Sequence, residues 1–499
     1  MSSTYGVVAV TLVSLATLGI GAFGLRISRT TSDFYVASRS ISPTLNASAI
    51  GGEYLSAASF LGTAGLVLAY GADVLWYPIG WTTGYLLLLV FVAAPLRRSG
   101  AYTIPDFALQ RLGSAAVRLA ASLLVVGVGW LYLLPQFQGA GLVLHTVTGA
   151  PRWLGVALVA AIVVLNVVAG GMRSITLVQA FQYWLKLTAL LVPLFFLVAA
   201  WTGDGRPAPA AGTGWFEPFG APDAQGLYVV YSVMIATFLG TMGLPHVVVR
   251  FYTNPDGRAA RRTTVIVLVL LGTFYLLPTL YGVLGRIYAP DLVGTDRADT
   301  VVLALPARVL EGAGADVLTA LLTAGAFAAF LSTSSGLTMS IAGVLGQEVR
   351  RVPPLGRRLG GVAALRVSAV ACVLVPVVLA LVAEPIPVAT SVVFAFALAA
   401  STFCPLLVLG IWWRGLTAPG AMAGLLAGGL TAGAATVVTI AASPEGWTGT
   451  LLGQPAAWSV PIGFVTTIGV SLATRRHVPP DVTRTMVRLH TPERAALSR

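Results

Sequence analysis

An all-α polytopic membrane protein is the fold class this sequence predicts, on three observations. The 499 residues are 57% hydrophobic and 10% charged, with a mean hydropathy of +0.86, whereas a soluble domain carries roughly 25% charged residues. Apolar runs of about 20 residues, the length that crosses a bilayer, recur along the whole chain. Polar or Pro/Gly-rich segments punctuate them, so that about thirteen spans are expected, near 5–25, 45–69, 75–95, 119–147, 153–169, 175–201, 226–249, 264–287, 317–345, 362–382, 387–411, 417–441 and 456–474. They form one transmembrane domain, 1–474, followed by a basic tail, 475–499.

The first run has no basic segment before it and no small-residue cleavage site after it, and so reads as a retained span. The connections that follow alternate in charge. Those numbered one, three, five, seven, nine and eleven, with the tail, hold 24 of the 29 arginines: Arg26, Arg29 and Arg39, then Arg97, Arg98, Arg111 and Arg118, then Arg173, then Arg250, Arg258, Arg261 and Arg262, then Arg350, Arg351, Arg357, Arg358 and Arg366, then Arg414, then the tail from Arg475 to Arg499. The even connections hold only Arg152, Arg206, Arg286, Arg297 and Arg308, beside acids such as Asp204, Asp223, Asp291, Asp296, Asp299 and Glu384. Basic loops stay in the cytoplasm, which places the N-terminus outside and the C-terminus inside and requires an odd number of spans. The net charge of +12 is thus a topological signal in a protein of the cell's inner, cytoplasmic membrane, not a nucleic-acid footprint.

Chemistry is excluded in the same way. Lys186 is the sole lysine and Leu187 follows it, so there is no Walker loop and no ATPase of the chain's own. Zinc-protease, paired-cysteine and nucleophile-elbow motifs are absent, and His145, His246, His477 and His490 are scattered, so an enzyme is not expected. Cys372 and Cys404 both fall inside expected helices and suggest neither a disulfide nor a metal cluster.

Within the second span, NASAIGGEYLSAASFLGTAG (Asn46 to Gly65) loses its long aliphatic residues where Gly51, Gly52 and Glu53 sit together. Two readings stand: close helix packing through small residues, or a helix broken at mid-depth whose unwound carbonyls face a cavity. In the ninth span Ser332 and Thr333, with the Ala329 carbonyl one turn earlier, form a cluster of neutral hard oxygens. Such oxygens suit Na⁺, and two carbonyls from a broken helix opposite would raise the count to five. The competing reading is hydroxyls bonded back to their own helix.

The stretches SDFYVASRSISP, GEYLSAASFLG, ADVLWYPIGW, APLRRSGAYTIPDF, AGGMRSITLVQAFQYWLK and GTMGLPHVVVRFYT resemble the sodium:solute symporters, and among them the cation/acetate permeases and monocarboxylate transporters. The resemblance runs from about Ser32 to Arg414. Asn166 departs from it, standing where the family has an aliphatic residue or tyrosine.

The resemblance implies a LeuT-type fold of two inverted five-helix repeats, about 45–201 and 226–411, broken at Gly51-Gly52 and at Gly240–Gly243. It also implies a sodium site made of the Gly52, Leu55 and Ala329 carbonyls with the Ser332 and Thr333 hydroxyls. Gln179 stands where several relatives have an aspartate associated with sodium, which suggests one Na⁺ per monocarboxylate and no net charge moved. The substrate is expected near the midplane, where Tyr54, Ser56, Ser59, Trp76, Tyr77, Gln136, Gln138, Thr237 and Thr241 are plausible lining groups. Hydroxyl and amide donors with half-helix N-termini would hold a small carboxylate without a dedicated arginine.

Two intramembrane charges remain. Lys186 is expected to act near the bundle interior, toward the substrate carboxylate, and Glu53 is either a proton-coupling group or a gate bonded to backbone amides. The function expected is import of acetate, propionate or pyruvate with Na⁺ by alternating access. H⁺ coupling, a proline-type or other solute symporter, a membrane sensor and a passive channel are the alternatives.

Overall fold

The computed structural model describes residues 3–27, 31–210, 212–217, 223–295, 297–352, 359–383 and 388–492, and every regular element among them is helical. Arg29, Asp296, Arg357, Arg358, Glu384, Arg494 and Arg499 lie outside the described residues. Among those described, eleven helices are long and apolar enough to cross a membrane.

After α1 (Ser3–Ile27), the second expected span is divided between α2 (Pro43–Tyr54) and α3 (Thr63–Tyr70), with a π-helical turn over Ala58–Gly62 between them. Ser42 starts α2, its hydroxyl accepting from the Leu45 amide at 3.4 Å with Pro43 in the first turn, where a missing N–H costs nothing. Then follow α4 (Trp76–Leu87), α5 (Ala115–Thr148) and α6 (Arg152–Gly203). The 52 residues of α6 contain the fifth and sixth expected spans, separated only at Gly171, whose φ of +58° and ψ of −156° leave the helical region. An L-residue is strained there, and a Cβ would also run into Phe34.

The seventh span is again divided. α7 (Ala224–Gly243) stops at Leu244, which is extended (φ −67°, ψ 119°), and α8 (Pro245–Phe251) begins immediately. The break is therefore set by Leu244-Pro245, one residue beyond the Gly240–Gly243 run, because a proline ring drives the residue before it out of the helical region. The chain continues as α9 (Gly257–Tyr288), α10 (Ala313–Arg351), α11 (Gly361–Val382), α12 (Val388–Trp412), α13 (Ala418–Ala442) and α14 (Ala456–Ala473).

α10 and α12 form the interior, while α11, α13 and α14 keep most of their surface outward. That outward surface carries residues such as Leu374, Leu430 and Val465, as expected of helices facing lipid. α6 packs on α1, α2 and α10, and α7 packs on α4 and α12. Both breaks are thereby held against the interior, where any main-chain group released by unwinding must find a partner inside the protein.

Candidate functional site

The break after α2 can be followed bond by bond. In a continuous helix the carbonyls of Gly52, Glu53, Tyr54 and Leu55 would accept from the amides of Ser56, Ala57, Ala58 and Ser59. Instead the Ser56 amide turns back to Tyr54 O (2.8 Å), the Ala57 amide reaches Gln136 Oε1 (3.4 Å), the Ala58 amide meets Ser56 Oγ (3.2 Å) and the Ser59 amide bonds Ser56 O (3.0 Å). The carbonyls of Gly52, Glu53 and Leu55 are released. Lys186 Nζ, on α6, donates to Gly52 O at 2.5 Å and to Leu55 O at 2.6 Å, and Thr333 Oγ1, on α10, donates to Glu53 O at 2.7 Å. Lys186 Nζ also reaches Ser332 Oγ at 3.1 Å, and that hydroxyl lies 3.1 Å from Ala329 O.

The five expected cation ligands therefore do come to one place, but around a side chain. Gly52 O, Leu55 O and Ser332 Oγ face the lysine nitrogen, Ala329 O faces Ser332, and Thr333 faces the main chain of Glu53. Lys186 is wholly buried. It lies in the bundle interior, as expected, and points into this oxygen cluster: α6 packs directly on α2 and α10, so the lysine stem leads to the break. The approach is close enough that a Cβ at Gly52 would overlap the main-chain oxygen of Gln179.

Glu53 forms a buried ion pair with Arg250 of α8, Nε to Oε2 at 2.6 Å, with the two side chains 2% and 1% exposed. Arg250 also donates to Thr176 Oγ1 at 2.9 Å and to Gln179 Oε1, while Gln179 Nε2 donates to Ser332 O at 2.8 Å. Asn46 Nδ2 completes the ring on Arg250 O at 3.1 Å. This network ties the elements beside the first break (α2) and the second (α8) to α6 and α10. It corrects two expectations. Glu53 faces a guanidinium rather than backbone amides, and Arg250, assigned by sequence to the seventh connection, is in the core. Arg111 and Arg118 are likewise buried, the first on the carbonyls of Gly410 and Trp413 and the second beside Glu348 at 3.1 Å.

Most of the expected substrate groups gather at the breaks. Tyr54 OH lies 2.8 Å from Thr241 Oγ1 and 3.3 Å from Trp81 O, Ser59 Oγ lies 2.9 Å from Tyr275 OH, and Tyr132 OH reaches Ser56 Oγ at 3.4 Å. Gln136 is buried, with its Oε1 on the Ala57 amide and its Nε2 without a partner. Thr237 is bonded back to Val233 O, and Tyr77 meets Trp81 edge-on with ring centroids 5.7 Å apart. Trp76 opens α4 beside Tyr77 and is partly buried. Gln138 does not join them: two residues from Gln136 on a helix, it faces another side and donates to Ala383 O at 3.3 Å, since positions i and i+2 do not share a helical face.

Sequence reasoning missed Tyr85, Tyr132, His246, Tyr275 and Phe396. Tyr54 packs edge-on to Tyr85 (4.8 Å between centroids), Trp81 stacks on Tyr275 (5.6 Å), and Phe396 lies 6.2 Å from Tyr54, Trp81 and Tyr132. His246 is buried against Tyr132 (5.3 Å), and neither ring nitrogen has a partner. Nothing local marks these residues, because they come from five helices and meet only when the bundle closes; His246, directly after the Leu244-Pro245 break, carried the one available signal. A separate cavity of about 560 Å³ among Tyr35, Tyr102, Asp106, Arg118, Gln347 and Arg350 contains none of the expected site residues.

Two interrupted helices facing each other across a buried polar network define a membrane carrier of LeuT-like architecture. The similarity to solved structures lies in the fold: a Na⁺-coupled sialic acid symporter in a substrate-bound outward-open state (TM-score 0.69, 14% identity, 93% of this chain and 97% of that one) and MhsT in complex with L-phenylalanine (TM-score 0.54, 17% identity, 85% and 98%). The chain belongs to the sodium:solute symporter family, which it matches over residues 34–428. It is 31% identical over 501 residues, 95% of this chain and 96% of the relative, to the uncharacterized symporter YwcA of Bacillus subtilis. It is also 31% identical over 486 residues, 88% and 87% of the two chains, to a monocarboxylic acid transporter of Corynebacterium glutamicum.

Proposed function

We propose that this chain imports short-chain monocarboxylates, such as acetate, propionate or pyruvate, across the cytoplasmic membrane by cation-coupled alternating access. Its thirteen crossings run from an outside N-terminus to a cytoplasmic C-terminus, with inverted repeats at 45–201 and 226–411. One observation carries the substrate reading: at the first break a buried amide, Gln136 Nε2, lacks a partner among the hydroxyls of Tyr54, Ser56, Ser59 and Thr241. An uncharged donor set in an aromatic enclosure suits a small carboxylate, and the relative from Corynebacterium glutamicum supports the same class. Gln138, on another face of α5 and bonded to Ala383 O, is not a lining group.

Carboxylate binding would favour closure of the two breaks over the substrate, and coupling would follow from different affinities in the outward and inward arrangements. The expected sodium ligands are Gly52, Leu55, Ala329, Ser332 and Thr333, in support of which stand the family and the oxygen cluster itself. Three of these oxygens face Lys186 Nζ, which leaves no room for sodium among them and favours the alternative coupling ion, H⁺.

Counterflow of labelled acetate, propionate, pyruvate and proline into proteoliposomes tests the substrate. Exchange of at least one monocarboxylate above protein-free vesicles is expected. Exchange of proline alone would overturn the reading.

A further inference from the structure

The structure assigns the place of the coupling cation at the first break to the chain's own cation, the ε-ammonium of Lys186, so that this site takes no sodium ion. The inference rests on the reading of the chain as a cation-coupled carrier and concerns its ion, not its carboxylate.

The argument is one of donors and acceptors. An ammonium has three N–H groups and no acceptor. Lys186 Nζ has three partners within reach, Gly52 O, Leu55 O and Ser332 Oγ. The two carbonyls can only accept, and Ser332 spends its single proton on Ala329 O, so it too accepts from the lysine. Three donors therefore meet three acceptors with none left over. A neutral amine, with two N–H groups and a lone pair, would fit only if Ser332 turned its proton from Ala329 O to the nitrogen, and in either state the nitrogen itself fills the point a metal ion would take.

The acceptors were also not available before the helix broke. Gly52 O and Leu55 O are carbonyls whose intrahelical partners, the Ser56 and Ser59 amides, have gone to Tyr54 O and Ser56 O. Their lone pairs need a cation or donor inside a water-poor interior, and the lysine supplies both in one group. Thr333 Oγ1 donates to Glu53 O at 2.7 Å and so satisfies the third released carbonyl. Glu53 is the acid that faces this charge, and it is itself paired with Arg250. The facing helix α10 contributes only hydroxyls and main chain there.

Binding of radiolabelled sodium to the purified full-length protein in detergent tests this, with choline as the replacement cation. The wild type is expected to bind no sodium saturably and to show the same apparent Tm in sodium and choline. Folded Lys186→Ala, which vacates the three oxygens, is expected to gain saturable sodium binding and a sodium-dependent rise in Tm. Saturable binding by the wild type that Ser332→Ala abolishes would overturn the assignment, and this measurement stands even if Lys186→Ala does not fold. A folded Lys186→Ala that still ignores sodium would overturn it as well, because the oxygens would then not form a cation site. Absence of monocarboxylate counterflow would remove the substrate reading and leave these binding results unaffected.

Discussion

Replacing Arg250 with methionine isolates the energetics of the polar network between the two breaks. The side chain of Glu53 is 2% exposed, and Arg250 Nε is its charged partner at 2.6 Å; at an effective dielectric of about 20, that separation corresponds to an attraction of about 6 kcal/mol. Most of it offsets desolvation of the two charges, so the observable quantity is the cost of stranding one of them, about 3–5 kcal/mol. Loss of the bonds to Thr176 and Gln179 adds about 1 kcal/mol each. Arg250→Met should therefore destabilise by roughly 5–7 kcal/mol on these figures. In Arg250→Met/Glu53→Gln the carboxylate stranded by loss of the guanidinium is gone, and at least half of that loss should return. The assay is a double-mutant cycle on detergent-solubilised protein, with SDS unfolding followed by tryptophan fluorescence. A cost for Arg250→Met below about 1 kcal/mol, as for an exposed pair, or a double variant equal to the sum of its singles, would refute the reasoning.

Three further outcomes follow from single contacts. Gly52→Ala pushes a methyl into the main-chain oxygen of Gln179, and should cost about 1–3 kcal/mol in the same unfolding assay while lowering uptake. Tyr54→Phe removes the hydroxyl that joins the first break to Thr241 on α7; a loss of about 0.5–1.5 kcal/mol with unchanged detergent solubility is expected, and an unaltered substrate affinity would remove Tyr54 from the lining set. Asp299 lies outside the long helices, in the turn Ala298–Thr300, where burial pushes its carboxyl up to about 6 against the lowering effect of a hydrogen bond from the Val388 backbone. The folded chain then holds this proton more tightly than the unfolded chain, whose aspartate titrates near 4, so its stabilising contribution is full below about pH 4 and is lost as pH rises through about 6. Asp299→Asn should accordingly raise Tm relative to wild type at pH 7.5, with the gap closing below pH 4.

Much of the architecture was legible because it is written in composition. A bilayer admits only segments that satisfy their own backbone, so runs of apolar residues announce helices, but the break expected at Gly51-Gly52 falls three residues later, because both glycines stay inside α2 and the chain leaves the helical region only at Leu55. The Gly240–Gly243 run pointed to the second break within one residue, and Leu244-Pro245 supplies the local reason for the shift. Where the sequence reading failed, direction was the missing quantity. Gln138 was grouped with Gln136 although two residues on a helix turn the side chain away, and Arg250 was counted with the loops although α8 carries it into the core.

By itself, then, the sequence determined a membrane-embedded helical protein, the glycine-containing stretches near which its second and seventh spans break, and the oxygen-rich patch at Ala329, Ser332 and Thr333, since each depends on residue type within one segment. Only the tertiary structure decided what those groups face. Lys186 and Gly52 are 134 residues apart, and Glu53 and Arg250 are 197 apart. Which charge meets which oxygen depends on how α2, α6, α8 and α10 pack, and the direction in which a buried lysine points is settled by that packing alone.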